Sequence, residues 1–313
     1  MDKINVIAVV GPTASGKTAL GIELAKIYNG EVISADSMQV YKGMDIATAK
    51  PAEEEMDGIP HHLLGFLDKN QSFSVADYTA LAKEKISDIS GRGKQPIIVG
   101  GTGLYITSLL ENINFPEIKR DDSLRKSLET EAAEKGNEEL FKRLVKCDPE
   151  TASELHPNNL VRVIRAIEVY ELTGRKISEL KAESRKYETP YKTAFIGLNF
   201  SDRQKLYDRI NMRVDLMIKA GLEREARDVY ESGEMKTAGN AIGYKELIPY
   251  FKGECGFEEC IDKIKQETRR YAKRQLTWFR KNAEIKWLML DEFDNKEKIL
   301  NFCKKYIAKL FSL

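Results

Sequence analysis

The run Ile4 to Val10 is apolar except at Asn5 and stops at Gly11. A short, near-continuous apolar run closed by glycine predicts a buried strand. From Thr18 to Tyr28 the period changes, with Leu20, Leu24 and Ile27 recurring at helical spacing. Strand, glycine-rich loop and helix therefore follow one another here. Glu31 to Ala35 predicts a second short strand, and Pro96 to Val99, closed by Gly100-Gly101, a third that leads into a helix over Leu104 to Leu110. Strands alternating with helices imply a mostly parallel sheet.

From about Asn114 to Thr189 the pattern is that of charged amphipathic helices, with Leu124, Leu128 and Ala132, then Leu160, Val163, Ile164 and Ile167, on helical spacing. A strand pattern returns at Thr193 to Phe200, helices follow, and a last short apolar run covers Trp287 to Leu290. The expected fold class is α/β, with residues 1–113 and 192–313 forming the core and its C-terminal helices, and 114–191 a helical insertion. No internal repeat interrupts this scheme.

A length of 313 residues is enough for such a core with a smaller second domain, and 42% apolar against 32% charged residues is a globular balance. The net charge is only +1, so any nucleic-acid binding must come from local basic patches. The N-terminal apolar run is too short for a signal peptide or a membrane span, and no other stretch is long enough. Cys147, Cys255, Cys260 and Cys303 contain no CxxC pair, and the three histidines form no metal-spaced cluster with them. A reduced, cytoplasmic protein without zinc is expected.

Gly11-Pro12-Thr13-Ala14-Ser15-Gly16-Lys17-Thr18 satisfies G-x-x-x-x-G-K-[ST] between the first predicted strand and helix. Glycines let the loop curl so that its N–H groups converge on phosphate oxygens at a helix N-terminus. Lys17 adds positive charge, and the Thr18 hydroxyl suits Mg²⁺. A chance match in a glycine turn is the competing reading, which the strand–loop–helix context opposes. A P-loop alone does not separate hydrolases, kinases and other transferases. ATPases and GTPases carry an Asp after a hydrophobic strand to help hold Mg²⁺, whereas Val99 runs directly into Gly100-Gly101-Thr102. The nearest acid in an equivalent place is Asp36, where a sheet of this kind collects its ligands. That position suits a general base. Since Ser34, Asp36 and Ser37 are all capping types, a helix N-cap competes with it.

GPTASGKT at 11–18, ISADSMQVYKGMDIATAKP at 33–51 and VGGTGLY at 99–105 resemble the tRNA dimethylallyltransferases. HPNNLVRVIRAIEVYELTGRKIS at 156–178, LYDRINMRVDLMIKAGL at 206–222, AIGYKEL at 241–247 and AKRQLTWFRK at 272–281 continue the resemblance in that family's order over most of the chain. It implies a P-loop NTPase-like core with an inserted all-helical domain. It also implies transfer of a dimethylallyl group from dimethylallyl diphosphate, with Mg²⁺, to the exocyclic amine of adenosine 37, just 3′ of the anticodon, releasing pyrophosphate. A prenyl diphosphate presents the same paired phosphates that a P-loop cradles in nucleotides.

By this resemblance Asp36 is the base, Thr102 bonds near the leaving oxygen or the incoming nucleotide, and Arg213 clamps the diphosphate. Asp36 and Thr102 would thereby also touch the extruded adenine, and Ser37, Met38 and Gln39 would read it, Gln39 through its amide. Thr268 to Lys281 is basic, with Arg270, Lys273 and Arg274 as candidate phosphate contacts interleaved with Tyr271, Trp278 and Phe279. A solvated basic face over core aromatics is the alternative there. Arg162 and Arg165, with Arg125, form a second patch that the resemblance places on the tRNA anticodon stem-loop, against an ordinary helix surface. His61-His62 matches a family block too, with a structural role expected. The partners implied are tRNA and the diphosphate, with no membrane, and the expected state is a monomer. An adenylate isopentenyltransferase, a P-loop metabolite kinase and a non-catalytic RNA-binding module are the competing functions. The block at 272–281 and the helical insertion argue against the first, and intact Lys17, Thr18 and Asp36 against the last.

Overall fold

The computed structural model describes residues 3–113, 118, 121–184, 186–233, 239 and 241–312. The chain divides into two compact units, Met1–Leu110 with Pro190–Leu313, and Glu111–Thr189. The expected start of the insertion at residue 114 lies outside the described residues.

The first unit is built on one sheet of β1 (Ile4–Val10), β2 (Gly30–Ser34), β3 (His61–His62), β4 (Gln95–Gly100), β5 (Tyr191–Asn199) and β6 (Lys286–Met289). Its order is β3-β2-β4-β1-β5-β6 and every neighbouring pair is parallel. This is the α/β class expected. Alternate residues of each strand serve opposite layers, as the period of two demands. Val6, Ala8 and Val10 of β1 pack with Ile33 and Ile98 under the helices Val75–Gly91 and Gly103–Leu110. Ile7 and Val9 pack with Val32, Ile97 and Val99 under the helices Lys17–Ile27 and Lys296–Phe311. Leu24, fully buried in that second layer, contributes about 2–3 kcal/mol by the transfer scale.

No expectation covers Val75–Gly91, although its buried Tyr78, Ala82, Ile86 and Ile89 recur at helical spacing, and its start is local too: Ser74 caps the helix and Asp77 returns the bond to Ser74 N–H at 2.8 Å. The two-residue β3 is invisible to periodicity because it exists only by pairing His61 with Val32 and His62 with Ile33.

The second unit packs Leu128, Ala132, Leu140, Leu144, Val163, Ile164 and Ile167 into its own core, from the helices Asp122–Lys135, Asn137–Cys147 and Leu160–Thr173. No residue between 121 and 184 is in a strand among the described residues.

Candidate active site

At the C-terminal edge of the sheet the chain leaves β1, β2 and β4 through Gly11, Ala35-Asp36 and Gly100-Gly101, where parallel sheets gather ligands. The P-loop begins the helix Lys17–Ile27. Gly16 precedes it at φ +87°, a left-handed conformation that glycine adopts without strain. Ser15 Oγ donates to Pro12 O at 2.8 Å, and Arg209 Nε, from the helix Arg203–Lys219, to Ala14 O at 2.9 Å, which holds the loop's curl. Gly100 cannot be replaced cheaply, since a Cβ there would come within 2.2 Å of Ala35 O.

A cavity of about 280 Å³ opens here. Thr13, Lys17 and Thr18 line one side of it, and Asp36, Ser37, Met38 and Gln39 another. Arg213 and, from the basic helix Phe257–Phe279, Thr268, Tyr271, Arg274 and Gln275 also line it. Gly11, Pro12, Ala14, Ser15 and Gly16 shape the loop behind this surface. Lys17 Nζ donates to Pro12 O at 2.7 Å. Burial, reinforced by the charge of Arg213, pulls its pKa down to about 7, with Asp36 opposing. Burial likewise lowers that of Arg213. A half-buried cluster with two cations and one carboxylate is incomplete without an anion.

No helix follows Asp36. Its Oδ1 accepts from Met38 N–H at 2.9 Å in a turn, which removes the N-cap alternative and leaves the second oxygen for other work. Thr102 lies just behind the cavity wall: its Oγ1 accepts from Ser37 N–H at 3.0 Å, and its own N–H donates to Ala35 O at 3.1 Å. Burial keeps the Tyr271 phenol protonated, and its side chain hydrogen-bonds with Thr102 and Gln275.

Gln39 departs from its expected use. Its Nε2 donates to Thr48 O and Ala49 O, both at 3.1 Å, and its Oε1 accepts from Ser34 Oγ at 3.1 Å. Both amide hydrogens are engaged, so the pairing with an adenine edge is not open to them in this arrangement. The residue instead holds the 44–51 loop, which Glu225 grips from the other side by accepting from the N–H groups of Asp45, Ile46 and Ala47 at 2.8–2.9 Å.

Three residues take places in the site that the sequence does not assign to them. Gln275 is buried, accepts from Thr13 N–H at 2.8 Å and donates to Gly101 O at 3.0 Å, tying the P-loop to the loop after β4. Tyr271 lies one turn before it. His61 lines the cavity, donates from Nδ1 to Ile59 O at 2.8 Å, and keeps a buried Nε2 with no partner among the described residues. Its neighbour His62 has the structural place expected, 2.8 Å from Glu31. The alternation of basic with polar and aromatic residues along 268–281, which already marks Tyr271, is the one signal that could have flagged Gln275 with it.

Of the expected RNA contacts, Arg274 lines the cavity and Lys273 is exposed, while Arg270 is exposed and bonds Glu267 at 2.6 Å. In the helical unit Arg162 is exposed and pairs with no acid among the described residues. Arg125 and Arg165 instead clamp the buried Glu168, at 2.9 and 2.7 Å, which accounts for their positions without RNA. For a metal, the Thr18 hydroxyl and the Asp36 carboxylate are hard oxygen donors, and no cluster of three or more His, Cys, Asp or Glu is placed to hold one among the described residues. That set fits a cation which takes most of its ligands from phosphates and water, as Mg²⁺ does.

The family model for IPP transferase matches residues 39–282. A tRNA dimethylallyltransferase of Acetivibrio thermocellus is 51% identical over 306 residues, covering 97% of both chains, and one of Oceanobacillus iheyensis is 52% identical over 298 residues, covering 95% of both. Among solved structures, the full-length tRNA isopentenylpyrophosphate transferase of Bacillus halodurans superposes with a TM-score of 0.74 at 46% identity, covering 99% of this chain and 98% of its own. A eukaryotic dimethylallyltransferase acting on tRNA gives 0.82 at 32%, covering 98% of this chain and 80% of its own. With the family match spanning most of the chain and relatives about half identical over nearly their whole length, this chain belongs to the IPP transferase family.

Proposed function

We infer that this protein transfers a dimethylallyl group from dimethylallyl diphosphate to the exocyclic amine of adenosine 37 in tRNA, releasing pyrophosphate. The observation that carries this reading is a single cavity walled on one side by the P-loop residues Lys17 and Thr18 and on another by Asp36, so that donor and acceptor chemistry share one space. The relatives named as tRNA dimethylallyltransferases favour it over an adenylate isopentenyltransferase or a kinase.

The reaction breaks an allylic C–O bond and forms an N–C bond, and the amine sheds one proton. Negative charge grows on the departing diphosphate. The P-loop amides, Lys17 and Arg213 are donors fixed before reaction, so they stabilise that charge as it develops. A Mg²⁺ held by Thr18 and the diphosphate would neutralise part of the same charge. The adenine amine is a weak nucleophile because its lone pair is delocalised, and Asp36 takes its proton. Thr102 positions Ser37 beside Asp36, with Tyr271 behind it.

The adenine must leave the base stack to enter. Ser37 and Met38 flank Asp36 at the entry. Lys273, Arg274 and Arg270 of the basic helix and Arg162 of the helical unit are the phosphate contacts for the anticodon stem-loop, and Arg125 and Arg165 support that surface through Glu168. The enzyme acts as a cytoplasmic monomer, with 114–191 as the tRNA-contacting insertion. Incubation with dimethylallyl diphosphate, Mg²⁺ and unmodified tRNA, followed by digestion to nucleosides, should yield prenylated adenosine. Prenylation of free AMP but not tRNA would reverse the assignment.

A further inference from the structure

Away from the cavity, the Sγ atoms of Cys255 and Cys260 lie 3.1 Å apart. Cys255 is half-buried in the turn before the basic helix, and Cys260 is buried in that helix's first turn, its N–H bonded to Gly256 O. The sulfurs are in contact and about 1 Å short of bond formation. Gly253 and Gly256 flank Cys255, and a Cβ at either would meet nothing, so the turn has room to close that gap. The other two cysteines lack this arrangement. Cys147 is half-buried, but its Sγ meets the Leu144 carbonyl, and Cys303 is buried in the sheet's second layer. Burial, reinforced by the contact with Cys255, pushes the Cys260 thiol up, so it rests protonated, while Cys255 is the more exposed residue of the two.

We propose that Cys255 and Cys260 form a dithiol oxidation site that hydrogen peroxide converts to a reversible disulfide. The Cys255 thiolate attacks one peroxide oxygen, the O–O bond breaks, and the other oxygen leaves with protons as water, giving a sulfenic acid. The Cys260 sulfur then attacks the Cys255 sulfur. An S–S bond forms, the S–O bond breaks, and the hydroxyl departs with the Cys260 proton as a second water. Two thiols lose two electrons and two protons, and peroxide gains them. Because the glycine-flanked turn supplies the movement, the helix keeps its place, and with it Tyr271, Arg274 and Gln275. The bridge also protects Cys255 from further, irreversible oxidation. This site does not depend on the transferase reading.

The test uses the folded full-length protein treated with hydrogen peroxide, then alkylated under denaturing conditions and digested with trypsin. Cleavage after Lys252 and Lys263 leaves both cysteines in one peptide. It should appear unalkylated and two hydrogens lighter, revert with dithiothreitol, and form well before Cys147 or Cys303 is modified. Accumulation of Cys255 as sulfenic or sulfinic acid beside a free Cys260 would overturn the proposal. So would bridging no faster in the folded protein than in urea. Cys260→Ser should trap Cys255 as a sulfenic acid that dimedone labels. Should that variant fail to fold, phenylarsine oxide reads the same geometry in the unaltered protein. One arsenical per chain should block both thiols with loss of one water, and failure to block them counts against the site.

Discussion

Glu168 in the helical unit and Lys17 in the α/β unit are both charges carried inward, and their surroundings differ in one respect. Glu168 is fully buried and accepts two hydrogen bonds from Arg125 at 2.9 Å, one from Arg165 at 2.7 Å and one from Asp121 N–H at 3.0 Å. Burial by itself would raise its pKa, and these bonds reverse the effect and bring it down to about 2. Lys17 has a carbonyl for its hydrogen bond, with another cation, Arg213, nearby, and burial brings it down to about 7. A fully compensated charge locks helices together. An under-compensated one waits for a ligand of opposite sign, and the protein accepts instability there in exchange for affinity.

The largest expected effect belongs to the reactive half of that comparison. Asp36→Asn should lower turnover by about a hundred- to ten-thousand-fold, the range for losing a positioned general base, with binding of both substrates little changed. Near-normal turnover would refute the base assignment. A shifted Mg²⁺ requirement with weaker diphosphate binding would assign Asp36 to the metal instead.

Lys17→Met should reduce turnover by about a hundred- to thousandfold, comparable to removing one charge-stabilising donor. The ligand-free variant should nevertheless melt no lower than the parent, since a penalised buried cation is gone. A clear fall in melting temperature would break the contrast with Glu168. There, Glu168→Ala should destabilise the helical unit by about 2–4 kcal/mol, the lower end reflecting partly exposed arginines, as urea unfolding would show.

The Lys17 shift also sets a pH dependence. Its folded pKa lies below its unfolded one, so between pH 7 and 10 the unfolded chain holds more protons and the ligand-free protein gains stability as pH rises. Bound diphosphate restores the cation. Pyrophosphate binding at pH 8 should therefore take up more protons in the parent than in Lys17→Met, by up to about one, measurable by calorimetry in buffers of different ionisation enthalpy, and equal proton exchange in the two would refute the Lys17 shift.

The smallest effect separates arginines within one surface. Arg162→Ala should weaken tRNA binding and reduce its salt slope by about 1, with no loss of stability. Arg125→Ala should do the reverse, lowering stability while leaving the slope alone. Equal slopes for all three proteins would remove Arg162 from the RNA surface.

What could be read from the chain is what neighbours in sequence decide. The P-loop is such a feature, because its glycine spacing and the apolar run before it fix the turn and the strand without outside help, and Asp36 was visible as the acid that follows β2. The helical character of the second unit was equally local, since each helix carries its own apolar stripe. Tertiary structure alone decided the rest. Gln275 reaches Thr13 across 262 positions, His61 enters the cavity wall only because β3 pairs with β2, and Arg125 and Arg165, expected at the RNA, hold a clamp on Glu168 that the sequence does not display. Gln39 looked free to read a base until the 44–51 loop folded over its amide. A sequence displays which groups can bond or carry charge. Which of them are already satisfied depends on partners that only folding brings within reach, and that satisfaction separates a group that holds the structure from one left to act.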